Sequence, residues 1–210
     1  MTKAICFDLL TGLLDSWTLW NAVAGNPEIG VAWRAAYLKH TYQTKAYRPY
    51  ETLVAEAAVL VGLSADCAQR LAERYEELRP WPEAADVLRA LRGKGLSLAV
   101  VTNCSERLGS IAARCVGVPF DVVVTAERAG FYKPHPRPYY TALEELGVTP
   151  AESFFVAGSA YDLAGTTKIG IPAYWHNRAR LPLPPDIVEP LGQGPNLLGL
   201  PFFLTETCAR

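Results

Sequence analysis

The stretch Ile5-Cys6-Phe7-Asp8-Leu9-Leu10-Thr11-Gly12-Leu13-Leu14-Asp15 decides how the chain reads, because a short apolar run ends in one carboxylate followed by a turn-capable Thr-Gly. With Ala4 to Phe7 as a buried strand, Asp8 stands at its carboxyl end. In open parallel α/β sheets ligands bind just outside those ends, where several loops converge. Asp8 is thereby a candidate nucleophile or metal ligand, set against the plainer reading of an Asp that caps a turn. The rest of the chain weighs between the two.

From Glu83 onward helix and strand signals alternate. Ala84 to Leu91 reads as a helix ended by Gly93 and Gly95, and Leu96 to Val101 as a continuous apolar strand running into Thr102-Asn103. A helix over Ser105 to Cys115 and a strand over Phe120 to Val124 follow. Pro138 to Leu146 is a helix stopped by Gly147, Ser153 to Ala157 a strand broken by Gly158-Ser159, Tyr161 to Lys168 a helix closed by Gly170, and Pro172 to Trp175 a fifth strand. This alternation predicts an α/β fold, a doubly wound parallel sheet with helices on both faces. Between the first strand and this region, residues 16 to 80 read as helices, with apolar positions at helical spacing in Trp33, Ala36 and Tyr37 and again in Leu53, Val54, Ala57, Ala58 and Val61. Ser64 caps a helix predicted over Ala65 to Leu78, and Arg79-Pro80-Trp81-Pro82 breaks the chain. The expected organisation is a core domain of residues 1–15 and 81–210 with a helical cap domain of residues 16–80 inserted. The Pro- and Gly-rich tail after Arg180 is expected to be irregular, with one apolar segment at Leu200-Pro201-Phe202-Phe203.

Composition excludes several classes of function. Half of the 210 residues are hydrophobic, enough for one core and a modest insertion. A net charge of −1, with Lys and Arg scattered, leaves no electrostatic footprint for nucleic acid or an anionic membrane. Cys6, Cys67, Cys104, Cys115 and Cys208 are odd in number and never in a CxxC pair, which argues against a disulfide framework or zinc site and fits a reducing cytoplasm. Met1-Thr2-Lys3 runs straight into the first strand, so no signal peptide is expected, and no stretch approaches the ~20 apolar residues of a membrane span.

The topology brings four polar strand ends together: Asp8, Thr102-Asn103, the loop reaching Lys133, and Ser159 to Asp162. Singly, each has a structural explanation as a cap or solvated loop. Together they supply a nucleophile, hydroxyl and amide donors, a cation and a second carboxylate. His40, His135 and His176 are widely separated and read as surface or supporting residues. Cys104 has no His placed to activate it and reads as a small residue at a helix start.

The order Asp8, Thr102-Asn103, Lys133-Pro134 and Asp162 resembles the haloacid dehalogenase superfamily of hydrolases over nearly the whole chain, with residues 16–80 in the place of its cap. Two departures select a branch. Phosphatases of that superfamily carry a second Asp two positions after the nucleophile, where this chain has Leu10, and a leucine transfers no proton. They also complete a Mg²⁺ shell with an Asp where this chain has Gly158. Trp33-Arg34, Tyr132-Lys133-Pro134 with Tyr139, and Trp175-His176-Asn177-Arg178 are similar to elements of the L-2-haloacid dehalogenases, which manage without both groups. Thr11-Gly12 reverses that branch's Gly-Thr and shifts the hydroxyl by one position; Ala157 and Gly158 lack its polar side chains, and Ser159 replaces its Asn.

The resemblance implies a cytoplasmic hydrolase that needs no metal or cofactor, with a 2-haloacid as substrate, halide as product and a homodimer as its possible assembly. Asp8 would attack C2, Lys133 orient Asp8, and Asp162 position or deprotonate water. Arg34 would hold the halogen or carboxylate, with Thr102, Asn103 and Ser159 binding nearby and Leu10, Trp17, Tyr37 and Tyr139 as walls. Two other readings stay open: a Mg²⁺-dependent phosphatase on the same fold, and a non-catalytic protein that binds small acids.

Overall fold

Asp8 follows the central strand of a six-stranded parallel sheet of order β3-β2-β1-β4-β5-β6. The strands are β1 (Ala4–Phe7), β2 (Ser97–Thr102), β3 (Val122–Thr125), β4 (Ser153–Ala157), β5 (Ala173–His176) and β6 (Gly192–Gly194). The computed structural model describes residues 1–44 and 46–208, with backbone alone for 206–208. The helices are α1 (Ser16–Ala24), α2 (Pro27–Gln43), α3 (Tyr50–Leu60), α4 (Asp66–Glu73), α5 (Ala84–Gly93), α6 (Glu106–Cys115), α7 (Ala126–Ala129), α8 (Pro136–Leu146), α9 (Ala160–Ile169) and α10 (Leu200–Cys208).

Strand side chains alternate between faces, and here both faces are covered. Ile5, Phe7, Leu98, Val100, Phe154 and Val156 pack into one core with Leu88 and Leu91 of α5 and Leu108 and Ala112 of α6. Cys6, Ala99, Val101, Phe155 and Ala157 pack into the other with Tyr139 and Leu143 of α8 and Leu163 and Ile169 of α9. This burial explains why the strands read as continuous apolar runs. Each fully buried large side chain contributes about 1.5–3 kcal/mol. Cys6↔Ala99 and Cys6↔Phe155 register β1 between β2 and β4, so the Asp8, Asn103 and Gly158 loops emerge side by side. The chain winds outward from β1 to β3, then crosses back to β4, which puts the switch point beside Asp8.

The chain leaves the sheet layer after Leu14 and returns at Pro80, and the two crossings run antiparallel. Asp15 N donates to Arg79 O at 2.8 Å and Trp81 N to Leu13 O at 2.9 Å. Between them α1 to α4 pack around buried aromatics: the Trp20 and Trp33 rings lie 4.5 Å apart, and Tyr37 packs on both Trp20 and Tyr50. Asp15 and Asn26 cap α1 and α2 by accepting from backbone N–H groups.

Four expectations need correction. The helix predicted over Ala65 to Leu78 ends at Glu73, and a 3₁₀ turn over Tyr75–Glu77 buries the Tyr75 ring, whose hydroxyl lies 2.8 Å from that of Tyr50. The third strand begins at Val122 rather than Phe120. The short helix α7, capped by Thr125, was not foreseen. The tail is also more regular than its composition implied. Gly192-Gln193-Gly194 adds β6 to the sheet edge, where a side chain on either glycine would strike Phe203 or Tyr174, and Leu200 and Leu204 of α10 are buried in the core. Among the described residues, no helix is long and apolar enough to cross a membrane, and Cys6, Cys67, Cys104 and Cys115 are free; the Cys208 side chain lies outside the described residues.

Candidate active site

Asp8 is held at both oxygens. Oδ2 accepts from Thr11 N at 3.1 Å, Thr11 Oγ1 at 2.8 Å and Gly12 N at 2.9 Å, while Oδ1 accepts from Lys133 Nζ at 2.8 Å. The reversed Thr11-Gly12 thus keeps its hydroxyl on the carboxylate, because the loop turns tightly enough to aim side chain and backbone together. Gly12 is required for that turn, since a Cβ there would overlap the Asp8 carbonyl.

Lys133 Nζ also lies 2.8 Å from Asp162 Oδ1, so one buried ammonium bridges two buried carboxylates. Burial alone would push the Asp8 carboxyl up; the Lys133 charge and the donors from Lys133, Thr11 and Gly12 outweigh it and hold the group below the usual carboxylate range. Asp162 goes the other way. Its burial, with the Asp8 charge nearby, outweighs Lys133 and raises its carboxyl above the usual value. Burial also works against the Lys133 ammonium, yet the two carboxylates raise its pKa and keep it charged.

The loops that carry these groups are fixed locally. Asn103 Oδ1 accepts from Lys133 N at 2.7 Å and Asn103 Nδ2 donates to Lys133 O at 3.2 Å, so Asn103 ties the second strand end to the lysine loop. Tyr37 of α2 donates to Asn103 O at 2.7 Å. Ser159 caps α9, and its N–H donates to Asp162 Oδ2 at 3.3 Å. Gly158 packs directly behind Asp8; a Cβ there would collide with Asp8 Oδ2, Gly12 N and Thr11 Oγ1.

These groups face a cavity of about 30 Å³ lined by Asp8, Leu10, Thr11, Thr102, Asn103, Lys133, Ser159 and Asp162 from the sheet side, and by Trp20, Arg34, Tyr37, Leu38 and Tyr42 from the helical layer. On the same measure one water needs about 10–15 Å³. Arg34 is the second cation at the cavity. Burial lowers its pKa while the Asp8 charge opposes that; its guanidinium rests over the Trp17 ring at 5.8 Å and hydrogen-bonds to no described residue. Tyr42 packs against Tyr161 of α9 with the rings tilted by 35° and their centroids 4.1 Å apart, joining the helical layer to the sheet layer beside the cavity.

The structure therefore brings Asp8, Leu10, Arg34, Tyr37, Thr102, Asn103, Lys133, Ser159 and Asp162 together. Two wall expectations are corrected. Tyr139 lies behind Asp162, with its hydroxyl 3.4 Å from the Asp162 carbonyl oxygen, and Trp17 stands behind Arg34. Trp20, Leu38 and Tyr42 were missed. Arg34, Leu38 and Tyr42 are spaced by four on α2, a helical face that periodicity makes visible once Arg34 is chosen.

The pattern of the haloacid dehalogenase-like hydrolases matches residues 2–170. The chain belongs to that family. It is 30% identical to haloacetate dehalogenase H-2 of Moraxella sp. (strain B), over 84% of this chain and 86% of that relative. It is 29% identical to the (S)-2-haloacid dehalogenase of Pseudomonas sp. (strain YL), over 92% and 88%. The solved structure of L-2-haloacid dehalogenase from Xanthobacter autotrophicus with chloropropionic acid covalently bound superposes with a TM-score of 0.83 at 25% identity, covering 98% of this chain and 99% of that one.

Proposed function

We propose that this hydrolase displaces halide from C2 of a short 2-haloalkanoate without a metal ion, with residues 16–80 serving as a cap domain over a core of residues 1–15 and 81–210. Asp8 Oδ1, which among the described residues accepts only from Lys133, keeps a free lone pair and attacks C2. The carbon–halogen bond breaks, halide leaves with the bonding pair, and an ester joins C2 to Oδ1. Water then adds to Cγ of Asp8 and loses a proton to Asp162. The negative charge on Oδ2 is met by Thr11 N, Thr11 Oγ1 and Gly12 N, an oxyanion hole already assembled. Collapse breaks the bond between Cγ and Oδ1; the departing alkoxide takes back the proton held by Asp162, the regenerated carboxyl carrying the water's oxygen loses its remaining proton, and the 2-hydroxy acid leaves, for one proton released per turnover.

The observation that carries this reading is the Arg34 guanidinium, which pairs with no described carboxylate, across the cavity from a nucleophile whose charge Lys133 already balances. A cation there recognises the substrate carboxylate or the departing halide. Thr102 and Ser159 line the same space, and Asn103 keeps one N–H beyond its bond to Lys133. The residues do not fit a Mg²⁺ site. The cavity offers two carboxylates, both engaged by Lys133, and among the described residues no cluster of three His, Cys, Asp or Glu side chains could hold a cation. Leu10 leaves no acid for an alkoxide, and halide needs none. Supporting the reading are the dehalogenase relatives and the covalently bound chloropropionic acid in the Xanthobacter structure.

The test is halide release from L- and D-2-chloropropionate, with and without EDTA, by wild type and Asp8→Asn. Release from one enantiomer that survives EDTA and vanishes in the variant is the expected result. No release from either, or release that requires Mg²⁺, overturns the proposal.

A further inference from the structure

The loop that holds Asp8 Oδ2 is itself gripped from behind. Trp81 Nε1 donates to the Thr11 carbonyl oxygen at 2.9 Å, and His176 Nδ1 lies 2.9 Å from the Gly12 carbonyl oxygen. A carbonyl only accepts, so His176 donates to it from Nδ1, while Nε2 lies 3.5 Å from Arg178 Nη1. The Thr11 carbonyl belongs to the same peptide group as the Gly12 N–H, the group that donates to Asp8 Oδ2. The indole N–H, that peptide and the carboxylate form one line of hydrogen bonds, and donation into the carbonyl strengthens the amide as a donor. The indole cannot swing away easily. Arg178 lies over its face at 4.1 Å, with Glu83 bound to that arginine, and the Trp17 ring meets it edge-on at 6.4 Å.

We infer that Trp81 is a positioning residue for hydrolysis of the Asp8 ester, acting through the Thr11–Gly12 peptide, with His176 fixing the next peptide of the loop. This rests on the dehalogenase reading. The two half-reactions respond to the donor in opposite ways. In the resting enzyme the carboxylate is already charged, so a stronger donor lowers its nucleophilicity and does nothing for attack on C2. Ester formation removes that charge, and addition of water brings it back onto Oδ2. Only the second step gains from the relay.

Trp81→Phe keeps a ring under Arg178 and removes the N–H. His176→Leu removes the second donor, and His176→Asn returns an amide N–H near the Nδ1 position. Each protein is mixed with saturating L-2-chloropropionate, halide is followed through the first and later turnovers, and acid-quenched protein is weighed by mass spectrometry. The first turnover of Trp81→Phe is expected within about two-fold of wild type, while later turnovers slow by about five- to ten-fold, the size of one neutral hydrogen bond. The fraction of chain carrying the ester rises accordingly. His176→Leu shifts the same way and His176→Asn recovers most of the rate. Unchanged later turnovers, or a first turnover slowed equally with no rise in ester, overturns the inference. Should Trp81→Phe not fold, the His176 pair decides: Leu and Asn variants that behave alike overturn it. Wild type that releases no halide refutes the dehalogenase reading itself, a failure seen before any variant is compared.

Discussion

Replacing Lys133 by Met removes one positive charge from between two buried carboxylates while keeping most of the side-chain volume. At 2.8 Å each ammonium–carboxylate contact is worth about 6 kcal/mol in an effective dielectric near 20. Much of this offsets the cost of burying the ions, and breaking such a pair destabilises by about 3–5 kcal/mol net. For a domain of this size about 2–4 °C accompanies each kcal/mol, so Tm is expected to fall by roughly 6–20 °C at pH 8. The pH dependence is the sharper signature. Without Lys133 the two carboxylates cannot both stay ionised, and one takes up a proton with its pKa raised far above the unfolded value near ~3.9. A folded pKa above the unfolded one stabilises at low pH and loses that contribution as pH rises through the folded value. Lys133→Met is therefore expected to recover on acidification from pH 8 to pH 5 with a slope steeper than wild type, up to about 1.4 kcal/mol per pH unit. Thermal melts of both proteins across that range are the assay. A variant whose Tm matches wild type at pH 8, or whose loss is the same at pH 5 and pH 8, refutes the bridging ammonium.

Arg34→Gln removes the cavity's second cation without touching Asp8, so on the dehalogenase reading KM for a 2-haloacid is expected to rise by about 10- to 100-fold, the size of a charge-assisted hydrogen bond, with a smaller change in kcat; steady-state halide release measures both. Gly158→Ala drives a methyl group into Asp8 Oδ2, Gly12 N and Thr11 Oγ1, and is expected to abolish turnover while costing only about 1–3 kcal/mol of stability by denaturant titration. In the proposed mechanism Asp162 must be ionised to take the water's proton; with its pKa raised by burial, kcat is expected to fall on acidification at a pH above the ordinary Asp value near ~3.9, whereas Asp8 stays ionised below it, and a pH–rate profile reads the limb directly.

The parallel sheet was legible because its strands are buried on both faces and so appear as unbroken apolar runs, and the glycines at positions 147 and 170 end helices where the left-handed conformation is needed. β6 was invisible for the opposite reason. Two of its three residues are glycines, chosen for the closeness of Phe203 and Tyr174, and glycine carries no strand preference. In the site, charged residues at strand ends announced themselves, since an ionised group beside an apolar run is costly without a purpose. Thr11 was harder to read, because its contribution depends on how the backbone turns after Asp8. Tyr42 and Trp20 were silent, because an aromatic on a helix reads as core until the helix is seen to face a cavity.

The cavity joins two kinds of wall. Asp8 and Lys133 stand on loops of the sheet layer and Asp162 in the first turn of α9, while Arg34, Leu38 and Tyr42 hang from one face of α2. The two carboxylates and the lysine between them thus sit on different stretches of chain from the α2 wall of the cavity. On the dehalogenase reading, a change at Tyr42 or Leu38 is expected to alter the length of acid that fits without reaching Asp8, so a lineage built on this plan could wander among substrates while its reaction stays fixed.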